Sequence, residues 1–380
     1  MKLKLSNISS SFGIPALEGM SGFDLVIGDD GCVQDYGKVL DNHVDDVADC
    51  TGLTLCPGWI DMHTHVFKDI CDIALEPDLI GPRRGVTVLV DAGSSGCATF
   101  PTFRDVFLCK RDYPIFAFLN YGSLGIIRCN VIGDYETDDF IQEEETLACI
   151  EKNREWIKGV KVRACSVVLK SRRDVELVEA AKKLACKAGL PLMVHIGEPK
   201  PELKDILEVL RPGDIVTHCF HGKNRGRILD SKNDRLLGYV LEAKSRGILF
   251  DVGHGCASFD FQVGKKAIEQ GFLPDLYGTD LHNLCYPYPA VSLAVTMSKL
   301  MACGVPKAKV LEGVTLTAAK VLEIEDFQGP LPGKKARFTL FSISGDPREY
   351  CDSMGNSLGV DRRFVPHFAI LGTKAYPCME

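Results

Sequence analysis

The sequence predicts a (β/α)8 TIM barrel with a small composite β-sandwich domain built from both chain ends. Three observations predict it. Short apolar runs rich in β-branched residues recur eight times between residues 53 and 280, separated by helix-like stretches. That alternation means βα units and a parallel sheet, and eight units over about 250 residues match the size of a closed barrel. Residues 1–55 and 328–380 lack the alternation and read as short strands joined by Gly/Asp and Gly/Pro turns. The expected division is therefore 1–55 with 328–380 as the sandwich and 56–327 as the barrel. A doubly wound open sheet is the alternative, weakened in its nucleotide-binding form because no G-x-G-x-x-G follows the first strand.

Composition limits the function classes. At 380 residues with 46% hydrophobic and 25% charged side chains, the chain is an ordinary globular protein with room for one barrel and an accessory domain. A net charge of −7 without a basic stripe argues against nucleic acid as a partner. No run approaches the ~18 apolar residues of a membrane helix, and the start MKLKLSNISSSFG has no apolar stretch of signal-peptide length. The 16 cysteines are scattered without a C-x-x-C pair, which reads as free thiols in a reducing, cytoplasmic setting. The expected partner is a small-molecule substrate, with no nucleic acid and no membrane; a homo-oligomer is compatible with the sequence.

Near the N-terminus, Phe23 to Ile27 followed by Asp29-Asp30-Gly31 is hairpin chemistry, the Asp-Gly pair supplying a positive φ, and a small antiparallel sheet is expected there. The run Leu53-Thr54-Leu55-Cys56 reads as the start of the first barrel strand, leading into Pro57-Gly58-Trp59-Ile60-Asp61-Met62-His63-Thr64-His65. The other strands fall at 85–91, 115–119, 159–163, 192–195, 214–218, 247–252 and 275–280. One intervening helix is well marked: Ser171 to Asp174 resembles a capping box, the apolar residues from Val175 to Ala185 have helical spacing, and Gly189 stops it before Pro191. A helix at 306–323 closes the barrel region. The turn Gly329-Pro330-Leu331-Pro332-Gly333 then introduces a strand at 336–341.

Catalytic groups of such a barrel sit at the C-terminal ends of its strands. There the sequence has His63 and His65 on the first strand, Lys161 on the fourth, His195 on the fifth, His218 on the sixth and Asp280 on the eighth. His63 and His65 share a face, since strand side chains two apart point the same way. Four imidazoles and a carboxylate suit zinc or a similar divalent ion, and they exceed the needs of one catalytic ion. They suit two ions ~3.5–4 Å apart sharing a water. Lys161, between Val160 and Val162, would be costly as a buried ammonium beside cations. As a carbamate formed with carbon dioxide it would be an anion able to bridge both.

PGWIDMHTH resembles the signature of the amidohydrolase superfamily, and the later Lys, His, His and Asp follow its binuclear ligand pattern in order. The likeness extends through GVTVLVDAGSSG to GPLPGKKARFTLF, nearly the whole chain. Within the superfamily the chain is most similar to the dihydroorotase-like amidohydrolase/deacetylase group, which hydrolyses acylated amino acids or related esters. The resemblance implies that His63, His65 and Asp280 hold one ion, that His195 and His218 hold the other, and that carboxylated Lys161 bridges. Two departures stand out. Dihydroorotases carry an Arg just after His-x-His, where this chain has Val66-Phe67-Lys68. The acidic residue of the C-terminal Gly-Lys-x-Ala-Asp motif is Arg337 here.

The expected enzyme is a metal-dependent amidohydrolase, or deacetylase, cleaving an N-acyl or O-acyl bond of a small carboxylate-bearing compound. Asp280 is the candidate to take the proton of the attacking water and pass it to the leaving group. Arg163, two residues from Lys161, is a candidate to clamp a substrate carboxylate, or else an ion-pair partner of a loop acid. His254, in Gly253-His254-Gly255, is a second candidate for substrate contact. The basic loop 221–225 either covers an anionic substrate or is solvated. His43 and His367 are assigned no role, and Cys219 and Cys256 read as structural. The alternatives are a cyclic amidohydrolase of dihydroorotase or hydantoinase type, a deaminase, and a non-catalytic relative that has lost its ligands.

Overall fold

Seven parallel strands lie side by side in chain order in the computed structural model: Trp59–Thr64, Val86–Ala92, Ile115–Asn120, Ile157–Arg163, Leu192–His195, Ile215–Thr217 and Leu249–Asp251. The structure describes residues 1–40, 43–129, 131–165, 174–197, 200–324, 327 and 329–379. The eighth stave is the segment 276–281. It closes the ring with two parallel bridges, Leu276 to Asp251 and Leu281 to Thr64, and with the bond from the Asp280 amide to the His63 carbonyl (2.7 Å). It is bridged rather than laddered because Asp280 has a left-handed backbone (φ 50°), which a regular strand does not contain. The fold is a (β/α)8 barrel with extra sheets.

The strands are continuous apolar runs because helices cover the sheet, so both faces are buried. Val86–Ala92 is buried at every position. Ile60, Val88, Phe118, Met193, Ile215 and Leu276 form one cluster drawn from staves around the ring, and Ala318 and Leu322 join it. Burying each such side chain is worth about 1.5–3 kcal/mol. Gly159 stands against Phe118: a Cβ there would lie 2.1 Å from the ring.

The helix Asp174–Ala188 ends at Gly189 (φ 70°), a left-handed stop that glycine adopts without strain. The capping-box-like start at Ser171 lies outside the described residues. The helix expected at 306–323 is two helices, Lys307–Val314 and Leu316–Leu322. Between them the Thr315 hydroxyl donates back to the Leu311 carbonyl (2.6 Å) and the Thr315 backbone leaves the helical region. No helix among the described residues is long and apolar enough to cross a membrane.

The run Leu53–Cys56 does not begin the barrel. It forms the strand Thr54–Pro57, paired antiparallel with Arg337–Ser344 in a five-stranded sheet that also holds Ser10–Ser11, Arg363–Leu371 and Lys374–Pro377. The chain passes from this sheet into the barrel at Gly58, where a Cβ would meet Thr87 Oγ1 at 2.2 Å. The N-terminal sheet (Val33–Gly37, Phe23–Ile27, Leu3–Ile8, Asp46–Asp49) is mixed rather than purely antiparallel, because Leu3–Ile8 and Asp46–Asp49 run parallel. Its hairpin turns at Gly31 (φ 76°). Leu5, Phe23 and Leu25 from one end of the chain share a core with Phe338, Leu340 and Ile370 from the other.

Candidate metal centre

The C-terminal ends of the staves surround a cavity of about 310 Å³. His63, His65, Lys161, Arg163, His195, His218 and Asp280 all line it. Local structure sets each direction. Strand one ends with His63 pointing to the cavity, Thr64 turned to the Val90 carbonyl (2.9 Å), and His65 back on the cavity side. His218 follows the sixth strand with φ 76°, and with Asp280 it is one of two site residues in left-handed conformations that non-glycine residues rarely adopt.

Hydrogen bonds aim the rings. His63 Nδ1 lies 2.9 Å from Thr217 Oγ1 and 3.2 Å from Asp251 Oδ2, which leaves Nε2 on the side of Asp280 Oδ1 (3.4 Å). His65 Nδ1 lies 2.9 Å from Ser94 Oγ, and its Nε2 is 3.2 Å from the same Asp280 oxygen. One ligand atom from each of His63, His65 and Asp280 falls within 4.8 Å of the others. His218 Nδ1 donates to the Gly253 carbonyl (2.8 Å), so its Nε2 bears a lone pair; that atom faces His195 Nδ1 at 2.9 Å. Lys161 Nζ sits 3.3 Å from His63 Nε2 and 3.4 Å from Met193 Sδ. Beneath the site, Asp61 accepts from the Thr279 hydroxyl (2.6 Å) and amide (3.0 Å), tying the eighth stave to the first.

Burial sets the charge states. It lowers His63 and holds His195 and His218 well below the usual imidazole range, so these rings are neutral donors. Burial would raise Asp280, but the surrounding imidazoles, His63 first, hold it well below the usual carboxylate range. Lys161 is brought down to about 8 by burial, so a sizeable part of its amine is neutral and nucleophilic near physiological pH. Neutral imidazoles and an anionic carboxylate are the chemistry that divalent ions with N/O ligands require.

The two candidate substrate contacts fare differently. Arg163 lines the cavity, yet its guanidinium is engaged by Asp134, through Nε to Oδ2 (2.8 Å) and Nη2 to Oδ1. The loop-acid ion pair, one of the two readings of this residue, is therefore present. His254 is not brought to the cavity. It is fully buried, its Nδ1 donates to the Gly255 carbonyl (2.9 Å), and its Nε2 accepts from Lys299 Nζ (2.9 Å). Of the basic loop, Lys223 reaches the cavity wall, while the buried His221 ring lies 2.9 Å from the Gly226 carbonyl. Cys219 is buried, and Cys256 lines the cavity.

Sequence reasoning missed His282, which lines the cavity 3.7 Å from Asp280 Oδ1. Burial opposes its charged form, but the Asp280 carboxylate outweighs this and pushes it up to about 12. Asp280-Leu281-His282 repeats the period-two spacing of His63-Thr64-His65, and that spacing could have found it. Asp251 and Thr217 were missed because nothing local couples them to a histidine more than 150 residues earlier.

No protein-family model matches the chain. Among characterised proteins it is similar to a deacetylase of Brucella anthropi, 37% identical over 375 residues, covering 98% of this chain and 92% of the relative. A deacetylase of Agrobacterium fabrum is 39% identical over 357 residues, covering 93% and 87%. Among solved structures, one described as a dihydroorotase superposes with a TM-score of 0.93 at 36% identity, covering 99% of this chain and 98% of the other. One described as an adenine deaminase gives 0.89 at 26%, covering 99% of both.

Proposed function

The chain belongs to the amidohydrolase superfamily, and from that premise we propose that it is a metal-dependent deacylase. Its reaction is hydrolysis of an N-acyl or O-acyl bond in a small carboxylate-bearing compound. The observation that carries this reading is the convergence of His63, His65 and Asp280 ligand atoms within 4.8 Å. His63, His65 and Asp280 would hold one divalent ion, His195 and His218 a second, and Lys161 as its carbamate would bridge them. Zinc fits the nitrogen and oxygen donors best. Bound there, the ions supply a polarised carbonyl and a hydroxide near neutral pH.

The chain's own residues do the remaining work. Asp280, ionised throughout the neutral range, takes the proton of the attacking water and delivers it to the leaving nitrogen or oxygen. Lys223 supplies positive charge at the cavity wall for a substrate carboxylate, and Arg163, whose charge Asp134 balances, adds the remaining edge of its guanidinium as a donor. His254 supports the wall from behind. Its amide bonds the Gly278 carbonyl (3.1 Å) and anchors the loop that carries Cys256. The sixteen free thiols support a reducing, cytoplasmic setting.

Cyclic-amide hydrolysis is the second reading, favoured by the likeness to the structure described as a dihydroorotase. Val66-Phe67-Lys68 after His65 speaks against dihydroorotate, whose carboxylate is held there by an Arg in the enzymes that hydrolyse it. The test is metal analysis of the purified protein together with a panel of N-acetyl amino acids, acetyl esters, cyclic ureides and adenine. Release of acetate with about two metals per chain is expected. Turnover confined to ring opening or deamination would replace the deacylase reading. Fewer than about one tightly bound metal per chain in metal-replete medium would remove the binuclear one.

A further inference from the structure

We infer that Asp251 is a positioning residue that sets the tautomer and aim of His63 and couples this ligand to closure of the barrel. The inference rests on the metal reading above, and its argument is a count of protons. Asp251 is fully buried, and two groups donate to its side chain irrespective of the His63 tautomer. Oδ1 accepts from the Gly278 amide at 2.7 Å, and Oδ2 accepts from the Thr217 hydroxyl at 2.6 Å. A threonine hydroxyl has one proton. At 2.6 Å from a carboxylate that proton belongs to Asp251, so Thr217 Oγ1 presents only lone pairs to His63.

His63 Nδ1 therefore faces two acceptors, Thr217 Oγ1 at 2.9 Å and Asp251 Oδ2 at 3.2 Å. It must carry the ring proton. The lone pair is then left on Nε2, the atom directed at Asp280 and Lys161. A carboxylate behind a ligating imidazole orients the ring and raises its basicity, and losing such a partner typically costs 10–100-fold in metal affinity.

The four residues come from four staves: His63 from the first, Thr217 from the sixth, Asp251 from the seventh and Gly278 from the eighth. The seventh, eighth and first staves are those that close the ring. One carboxylate thus joins the closing seam to the ligand. Gly278 completes the arrangement, since a Cβ there would lie 2.5 Å from His63 Cβ and 3.0 Å from Asp251 Oδ1.

The test separates this role from general stability. In the metal-free wild-type protein, two-bond proton–nitrogen spectra of labelled histidine should show His63 protonated at Nδ1, the signal being assigned by its loss in His63→Gln. Asp251→Asn should abolish that preference and weaken zinc binding by 10–100-fold. Thr217→Val should weaken it less, and Thr217→Ser should restore it. A wild-type His63 protonated at Nε2 overturns the inference whether or not any variant folds. So does Asp251→Asn that binds zinc within twofold of wild type. A wild-type protein that takes up no zinc overturns the underlying metal reading instead, and would do so before any variant is compared.

Discussion

Gly278→Ala is the most informative single substitution the site offers. Gly278 does not have a positive φ, so alanine meets no backbone objection and the effect is one of space alone. The added methyl would stand 2.5 Å from His63 Cβ, against an ordinary carbon–carbon contact of ~3.5–4.0 Å. The eighth stave or the His63 ring must therefore give by about 1 Å. Overpacking on this scale costs about 1–3 kcal/mol, which for a chain of 380 residues lowers the melting temperature by about 1 °C per kcal/mol. A catalytic group misplaced by ~1 Å loses about 100-fold in rate. Gly238→Ala is the control: it opens the helix Gly238–Ser245, has nothing within 4 Å, and should gain about 0.4–1 kcal/mol. The assays are thermal unfolding of the metal-free protein, metal retention on dialysis, and turnover. Gly278→Ala that matches wild type in metal retention and rate would refute the packing argument and show that His63 has slack.

Three further outcomes follow from other parts of the structure. Lys161→Ala should abolish activity and regain part of it with added short-chain carboxylate, since an external carboxylate can take the place of a bridging carbamate; undiminished activity without the additive excludes a bridging role. Asp134→Ala leaves the Arg163 guanidinium buried without its carboxylate, which should cost about 3–5 kcal/mol in denaturant unfolding, whereas loss of an exposed ion pair would cost under about 1 kcal/mol. Burial lowers Lys299 from 10.5 to about 7 while it donates to the Pro289 carbonyl (2.7 Å) and His254. Between pH 7 and 10.5 the unfolded chain then binds a proton that the folded one does not, so this group makes stability rise with pH across that window. Lys299→Met should accordingly stabilise most below pH 7, its advantage over wild type shrinking by on the order of a few kcal/mol towards pH 10.5; a gap independent of pH refutes the buried-amine account.

The sequence by itself determined the barrel and the approximate place of its chemistry. Period-two alternation put His63 and His65 on one face. Buried β-branched runs located the strands whose ends carry Lys161, His195 and His218, because a strand covered on both sides admits little else. Periodicity specifies a face but names no partner, and there the tertiary structure decided. It gave Arg163 a loop carboxylate 29 residues earlier in the chain. It turned His254 back onto Lys299, and it broke the helix at 306–323 where Thr315 bonds its own backbone. It drew Leu53–Cys56 into the five-stranded sheet, because an apolar run pairs equally well with Arg337–Ser344 as with a barrel strand, and a glycine at 58 lets the chain cross past Thr87. It also set Asp251 and Thr217 behind His63, an arrangement that exists only once the ring has closed and brought the first, sixth and seventh staves together.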